Sequence, residues 1–275
     1  MTLPSEILDK IFEHITTDEE GRQTLIACAL VATWWTGPSQ RRLFSSVLVN
    51  NNNYQRWVDG VALSGSKTHL LHYVRSFRYR RAPKNSLRYS VCDFPKEPGE
   101  YISALHNIHS LQLVNIRINP LSKELQTCLS AFRETLTNLA ILYFVTSFSA
   151  FVSLIDYFPN ITALQLGMFG LNPDEGPVQL LSRPLRGKIR IRPPHPDRSE
   201  FIDRLAKLDQ EYEELVIDAA TVPLDTAILG CILQFSAGTV KYLRLLGRLE
   251  REYSLHTPSS LNVLTQPFNK SWAER

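Results

Sequence analysis

Leu3, Ile7, Leu8, Ile11, Phe12 and Ile15 recur at spacings of three and four, which predicts an amphipathic helix at the start of the chain. Pro4 suits its first turn, where a missing amide hydrogen costs nothing. The polar run Asp18-Glu19-Glu20-Gly21 breaks it. A second apolar helix is predicted from about residue 22 to Trp35, carrying Leu25, Ile26, Cys28, Ala29, Leu30, Val31 and Trp35, with Gly37-Pro38 as its stop. A short segment, 39–44, then leads into a strand-like stretch at 45–49. Two short helices this apolar cannot hide all their surface against each other. They either cap the rest of the chain or present a face to a partner.

From residue 47 the periodicity changes. An apolar-x-apolar motif recurs as Val47-Leu48-Val49, Phe77-Arg78-Tyr79, Leu111-Gln112-Leu113, Leu139-Ala140-Ile141, Leu164-Gln165-Leu166, Ile189-Arg190-Ile191, Leu215-Val216-Ile217 and Leu243-Arg244-Leu245. Their first residues are 30, 34, 28, 25, 25, 26 and 28 positions apart. Residues 54–63, 100–108, 121–132, 148–158, 199–208 and 224–235 carry helical periodicity between them. Pro159-Asn160 and Ser236-Ala237-Gly238 are stop signals for two of these helices. Residues 50–53, 81–98 and 192–198 read as loops, and 172–184, with three prolines and a glycine, as an irregular connection.

A strand–helix unit with a Leu-x-Leu core and a period near 26 lies in the range of leucine-rich repeats. Such units imply an α/β solenoid, with parallel strands side by side and helices outside, in which each unit buries its face against its neighbours. An ordinary α/β sheet is the competing architecture. The asparagine of the repeat consensus is missing, so the repeats read as degenerate. The array is expected to end soon after Leu245, with the tail through Trp272 capping the last unit or fraying.

The composition is that of an ordinary globular chain: 275 residues, 44% apolar, 21% charged and a net charge of +3. That charge is too small to imply nucleic acid or a membrane surface. Cys28, Cys92, Cys128 and Cys231 lie far apart without a CxxC pair, so free thiols in a reducing compartment are expected rather than a zinc site. Acidic residues near Met1 and no apolar signal core argue against a leader peptide. The longest apolar stretches, around 25–35 and 139–145, are too short to span a bilayer. A cytoplasmic or nuclear location follows as the expectation.

The first 47 residues carry a more specific pattern. LPSEILDKIF, then LIACALVATWW, then RRLFSSVLV, resembles the F-box, in the version common in fungal proteins. Leu3, Pro4, Glu6, Ile7 and Leu8 fill that family's first element, Leu30, Val31 and Trp35 the second, and Leu43-Phe44 the third. The chain departs at Ala32, where the family often has cysteine. The resemblance implies a three-helix module at 1–47 that docks on the Skp adaptor of an SCF-type cullin–RING ubiquitin ligase, followed by the degenerate leucine-rich-repeat domain at 48–275. Carried over residue by residue, Leu3, Pro4, Ile7, Ile11, Leu30 and Val31 become adaptor-facing. Trp35 is either contact or module core.

Candidate chemistry is sparse. No glycine-rich phosphate loop, GxSxG, HExxH or paired-carboxylate motif is present. His69 with His72, and His106 with His109, could each place two imidazoles on one helix face, but nothing completes a metal site. Asp209, Glu211, Glu213 and Glu214 read as a solvated loop before a strand. The basic residues say more. If Phe77, Tyr79, Ile189 and Ile191 point inward, then Arg78, Arg80, Lys188, Arg190 and Arg192 point onto the concave face of the array. There they either keep the sheet soluble or hold an acidic or phosphorylated segment of a substrate. The sequence is therefore expected to encode a non-catalytic, cofactor-free, metal-free substrate-recognition subunit. The alternative is a repeat interaction scaffold outside any ligase. An enzyme on an α/β sheet is the third reading, without a nucleophile or cofactor loop to support it.

Overall fold

The computed structural model describes residues 3–16, 18–50, 53–57, 59, 68–80, 92–93, 105–118, 123–171, 181–192, 204–205, 208, 210–218, 240–246 and 262–266. The chain opens with three helices, α1 (Ser5–Glu13), α2 (Glu19–Val31) and α3 (Thr33–Leu43). Asp18 caps α2: its Oδ1 accepts from Gly21 N at 2.9 Å and from Thr16 Oγ1 at 2.7 Å. Position 21 must be small, because a Cβ there would lie 2.0 Å from Thr16 O.

The single helix expected to run to Trp35 is two helices. They break at Ala32, whose φ of −153° and ψ of 146° are extended, and Trp35 belongs to α3. Thr36 Oγ1 donates to Ala29 O at 3.0 Å and satisfies one carbonyl orphaned at the end of α2. Gly37-Pro38 does not stop α3. A proline inside a helix forfeits one hydrogen bond and crowds the side chain before it, and Gly37 has none to crowd. Leu8, Phe12 and Leu25 form the centre of this module, with Ile15, Cys28, Trp35 and Leu43 packed around them. Arg42 Nη2 donates to Glu13 O at 3.1 Å and Ile15 O at 3.0 Å, which places a cation at the C-terminal end of α1.

Eleven strands follow among the described residues: β1 (Ser46–Asn50), β2 (Ser76–Arg80), β3 (Cys92–Asp93), β4 (Ser110–Val114), β5 (Ile116–Ile118), β6 (Asn138–Thr146), β7 (Ala163–Leu171), β8 (Leu185–Arg192), β9 (Gln210–Asp218), β10 (Tyr242–Leu246) and β11 (Asn262–Gln266). They form one sheet in the order β1-β2-β4-β6-β7-β8-β9-β10-β11, every neighbour parallel, with β3 on β5 and β5 on β6 off that path. Strands in chain order, joined by parallel crossovers, make an α/β architecture compatible with a repeat solenoid.

Register explains the repeat. Val47, Phe77, Leu111, Leu139, Leu164, Ile189, Leu215 and Leu243 pair in one continuous row across the sheet. All but Val47 are buried, and each leucine so enclosed contributes roughly 2 kcal/mol. Three residues before a row member, Val74, Ile108, Leu136, Ile161, Tyr212 and Val240 are buried too. Hydrogen bonds repeat with the same step. Ser45 O accepts from the amides of Arg75 and Ser76, Arg75 O from His109 and Ser110, His109 O from Thr137 and Asn138, and Thr137 O from Thr162 and Ala163, all at 2.8–3.0 Å. The helix Phe148–Tyr157, capped by Ser147, packs its phenylalanines against the inward row, and Phe132 stacks on Phe158 at 6.0 Å.

Several expectations change. β11 extends the sheet beyond Leu245. β3 lies in a segment read as loop. β5 was hidden because Ile116-Arg117-Ile118 follows the Leu111 motif too closely to read as its own unit. The helix expected at 54–63 is described only as Tyr54–Trp57, and the one at 121–132 as Lys123–Ser130. Residues 105–108 form a turn rather than a helix end, and 100–104, 172–180, 199–203, 224–235 and the tail after 266 lie outside the described residues. No helix among the described residues is long and apolar enough to cross a membrane.

One irregularity sets the register of the basic strand. Between β8 and β9, Gly187 pairs with Tyr212 but Lys188 pairs with Glu214, so Glu213 is an extra residue. Gly187 has φ +82°, and a Cβ there would lie 2.3 Å from Thr162 O. Gly187→Ala is expected to destabilise the fold by about 2–3 kcal/mol through the left-handed backbone and the clash together. Urea unfolding followed by circular dichroism measures this, and a shift under about 0.5 kcal/mol, the size of an ordinary surface change, would contradict the assignment.

Candidate interaction surfaces

The helical module leaves a large apolar surface outside its own core. Nine large hydrophobic residues are exposed among the described residues, and seven lie here: Leu3, Ile7, Ile11, Ile26, Leu30, Val31 and Trp34. The reason is geometric. On α1, Leu8 and Phe12 point inward, so the row Leu3, Ile7, Ile11 is turned away from them. On α2, Leu25 points inward, and Ile26 and Leu30, four apart, lie outside. Leu30 is 83% exposed and Val31 69%, more than any other large apolar side chains described. Pro4 is exposed as well.

Trp35 is turned the other way. It is half-buried against the module core and meets Phe12 edge-on at 5.9 Å. Its neighbour Trp34 is the exposed indole, 5.6 Å from Trp35. Sequence reasoning missed Trp34 because it placed both tryptophans at the end of one helix. It also passed over Ile26, although its spacing of four from Leu30 was legible.

The second surface is the sheet face turned away from the inward row. Lys188, Arg190 and Arg192 lie on it as expected, but none is a bare cation. Lys188 Nζ is 3.0 Å from Glu214 Oε1, and Arg244 Nε is 3.0 Å from the same oxygen. Arg190 Nη2 and Arg192 Nη2 donate to Asp218 Oδ2 at 2.7 and 3.0 Å. Each carboxylate therefore answers two cations. The acidic run is not a loop: Glu211, Glu213 and Glu214 lie within β9, opposite Arg186, Lys241 and Lys188 respectively. A strand so rich in acid is stable there because basic side chains flank it on both sides. Asp209 lies outside the described residues.

Arg78 and Arg80 are exposed on β2 and have no ion pair among the described residues. Arg75, just before that strand, is exposed as well. It lines a cavity of about 260 Å³ where the module meets the sheet, together with Asp9, Phe12, Arg41, Arg42 and Tyr73. The Arg41–Asp9 ion pair, 3.0 Å long, lies in its wall. His69 and His72 sit on a 3-10 helix (Thr68–Tyr73), while His106 and His109 lie in a turn and just before β4, with His109 Nδ1 2.9 Å from Thr135 O. No group of three or more metal-ligating side chains occurs among the described residues. Cys28 is a half-buried free thiol.

Compared with known proteins, the chain matches no protein-family model and no curated protein.

Asp218 is the most consequential of the charged groups, with its side chain only 5% exposed. Burial pushes its carboxyl up, but the hydrogen bonds and charges of Arg190 and Arg192 outweigh this and hold it below the usual aspartate range. A depressed folded-state value stabilises the fold in full above about pH 4, the unfolded aspartate value, and is lost as pH falls through the folded value. Asp218→Asn is expected to cost about 1–2 kcal/mol at neutral pH. Melting curves from pH 7 to pH 3 should show the wild type and the variant converging at the acid end. A gap that persists undiminished at pH 3 would contradict the role assigned to the carboxylate.

Proposed function

We propose that this chain is a substrate-recognition subunit of an SCF-type cullin–RING ubiquitin ligase. Its N-terminal helices act as an F-box that docks on the Skp adaptor, and its sheet, a degenerate leucine-rich-repeat array, holds a protein substrate. The single observation that carries this reading is the apolar surface of the module. Five residues carried over from the F-box resemblance, Leu3, Ile7, Ile11, Leu30 and Val31, are exposed large hydrophobics, and the sixth, Pro4, is exposed too. An apolar row left in water on two helices fits helix-in-groove docking, where a few apolar anchors supply most of the affinity. Large apolar side chains left exposed in this number on one small module mark an interaction site.

The repeat reading is supported by the continuous row from Val47 to Leu243 and by the parallel strands in chain order. In such a ligase the acceleration comes from proximity: a substrate held near the ubiquitin-loaded enzyme reacts without a catalytic side chain from the holder. A constellation of histidines, acids and thiols of the catalytic kind is not needed for that role.

Leu30→Glu/Val31→Glu tests the docking. Both side chains lie in solvent, so the variant should melt within about 2 °C of the wild type, as surface changes do in a chain of this size. In a pull-down with purified Skp adaptor, the wild type should be captured and the variant reduced at least about 10-fold, the loss expected at an apolar anchor. Leu3→Ala/Pro4→Ala should act in the same direction through α1. A folded wild type that captures no adaptor would remove the ubiquitin-ligase reading and leave a free-standing repeat interaction protein.

A further inference from the structure

The register of the sheet places arginines four strands apart in two adjacent rows on its open face. One row reads Arg78, Gln112, Ala140, Gln165, Arg190 from β2 to β8. The next reads Arg80, Val114, Leu142, Gly167, Arg192 along the same five strands. No position between the arginines carries a charge. Gln112, Ala140 and Gln165 are half-buried, and the space over Gly167 is filled by the side chains of Leu142 and Arg192, since a Cβ there would lie 2.9 Å from Leu142 Cδ2 and 3.4 Å from Arg192 Cβ. This is a neutral track walled by cations at each end.

Charge is also in excess there. Among the described residues Arg78, Arg80, Arg186, Lys188, Arg190, Arg192, Lys241 and Arg244 share this face with four carboxylates, Glu211, Glu213, Glu214 and Asp218, of which the last two are each divided between two cations. Eight positive against four negative leaves these residues four charges positive, whereas the whole chain is only +3. The track itself is bounded by four arginines against one carboxylate, Asp218, and its two β2 arginines carry no ion pair among the described residues.

We propose that this track is a docking site for an extended, carboxylate-rich segment of a partner protein, with acidic side chains at the two ends of the segment and small neutral ones between. The inference rests on the substrate-holding role proposed for the repeat and names the chemistry of what is held. Paired acids fit each wall. Arg78 and Arg80, like Arg190 and Arg192, stand two residues apart on one strand, about 7 Å, so they flank a chain that crosses the strands, and adjacent residues of an extended chain project to its two sides. Four strand steps separate the walls by about 19 Å. An extended chain covers that distance with about six residues. Guanidinium forks favour carboxylates in two-pronged contact, and Asp218 already shows two of these arginines converging on one.

Fluorescence anisotropy on the full chain tests this with labelled synthetic peptides. The first is Glu-Glu-Ser-Ala-Gly-Ser-Glu-Glu. The second places the same four glutamates side by side, and the third replaces them with glutamine. The split peptide should bind at least about 5-fold tighter than the contiguous one, weaken as salt rises, and leave the glutamine peptide unbound. Arg78→Ala/Arg80→Ala removes exposed side chains that have no ion pair among the described residues, so it should keep the fold and lose about 10-fold in affinity. Arg190→Ala/Arg192→Ala should do the same but strands Asp218, and so it is interpreted only beside its circular dichroism spectrum. Lys241→Ala, off the track, should bind as the wild type does. Equal affinity for split and contiguous peptides, unchanged affinity in the Arg78/Arg80 variant, or binding only of a phosphoserine peptide without glutamates would overturn the proposal. Leu30→Glu/Val31→Glu should still bind the split peptide. Failure of adaptor capture with peptide binding intact condemns the ligase reading alone, and the converse condemns the track alone.

Discussion

Everything on this molecule's sheet depends on one constraint, the burial of a single apolar row by parallel strands in strict register. Phe77, Leu111, Leu139, Leu164, Ile189, Leu215 and Leu243 are buried side by side, and the backbone carbonyl at the foot of each early strand accepts two amides from the next. A strand slipped by one residue would turn its row to solvent and its charges to the core. The row therefore decides where every neighbouring side chain points, including those on the far face that take no part in the core. The arginines of β2 and β8 line up in shared rows as a by-product of leucines lining up beneath them.

The exception to regularity has a similar cause. β9 carries one residue more than its partner can pair, and the extra residue, Glu213, is taken up where Gly187 adopts a left-handed backbone. Without that step Lys188 would face Glu213, and Ile189 would face Glu214 rather than Leu215. The irregularity thus protects the apolar row and also sets the ion pairs above it. Asp218 reaches Arg190 and Arg192 only because the row beneath them is restored.

The helical module obeys a different economy. Its core is small, three fully buried side chains with four more packed around them, and its helices are short. It cannot enclose the apolar residues of both faces, so one face of α1 and one of α2 stay in water. A break at Ala32 divides the work between two adjacent tryptophans: Trp35 packs inside and Trp34 joins the outer surface. The sheet keeps its own separate core, so neither part needs the other's apolar residues to fill its interior.

What the sequence determined by itself is local and periodic. Strand positions follow from Leu-x-Leu spacing, because the alternation of inward and outward side chains is a property of a few consecutive residues. The eight motifs all became strands, and the outward direction of Arg78, Arg80, Lys188, Arg190 and Arg192 was readable from them. The apolar stripe of α1 was readable for the same reason. Tertiary structure alone decided the rest. Whether an outward arginine is free or answered depends on a carboxylate some 26 residues away, brought alongside by register and one bulge, and Asp218 shows no local sign of it. β11 and β3 exist because neighbours offer them an edge, not because their residues insist. Which of two consecutive tryptophans is buried turned on the rotation imposed by a helix break, and no periodic pattern along a chain records a rotation that packing supplies.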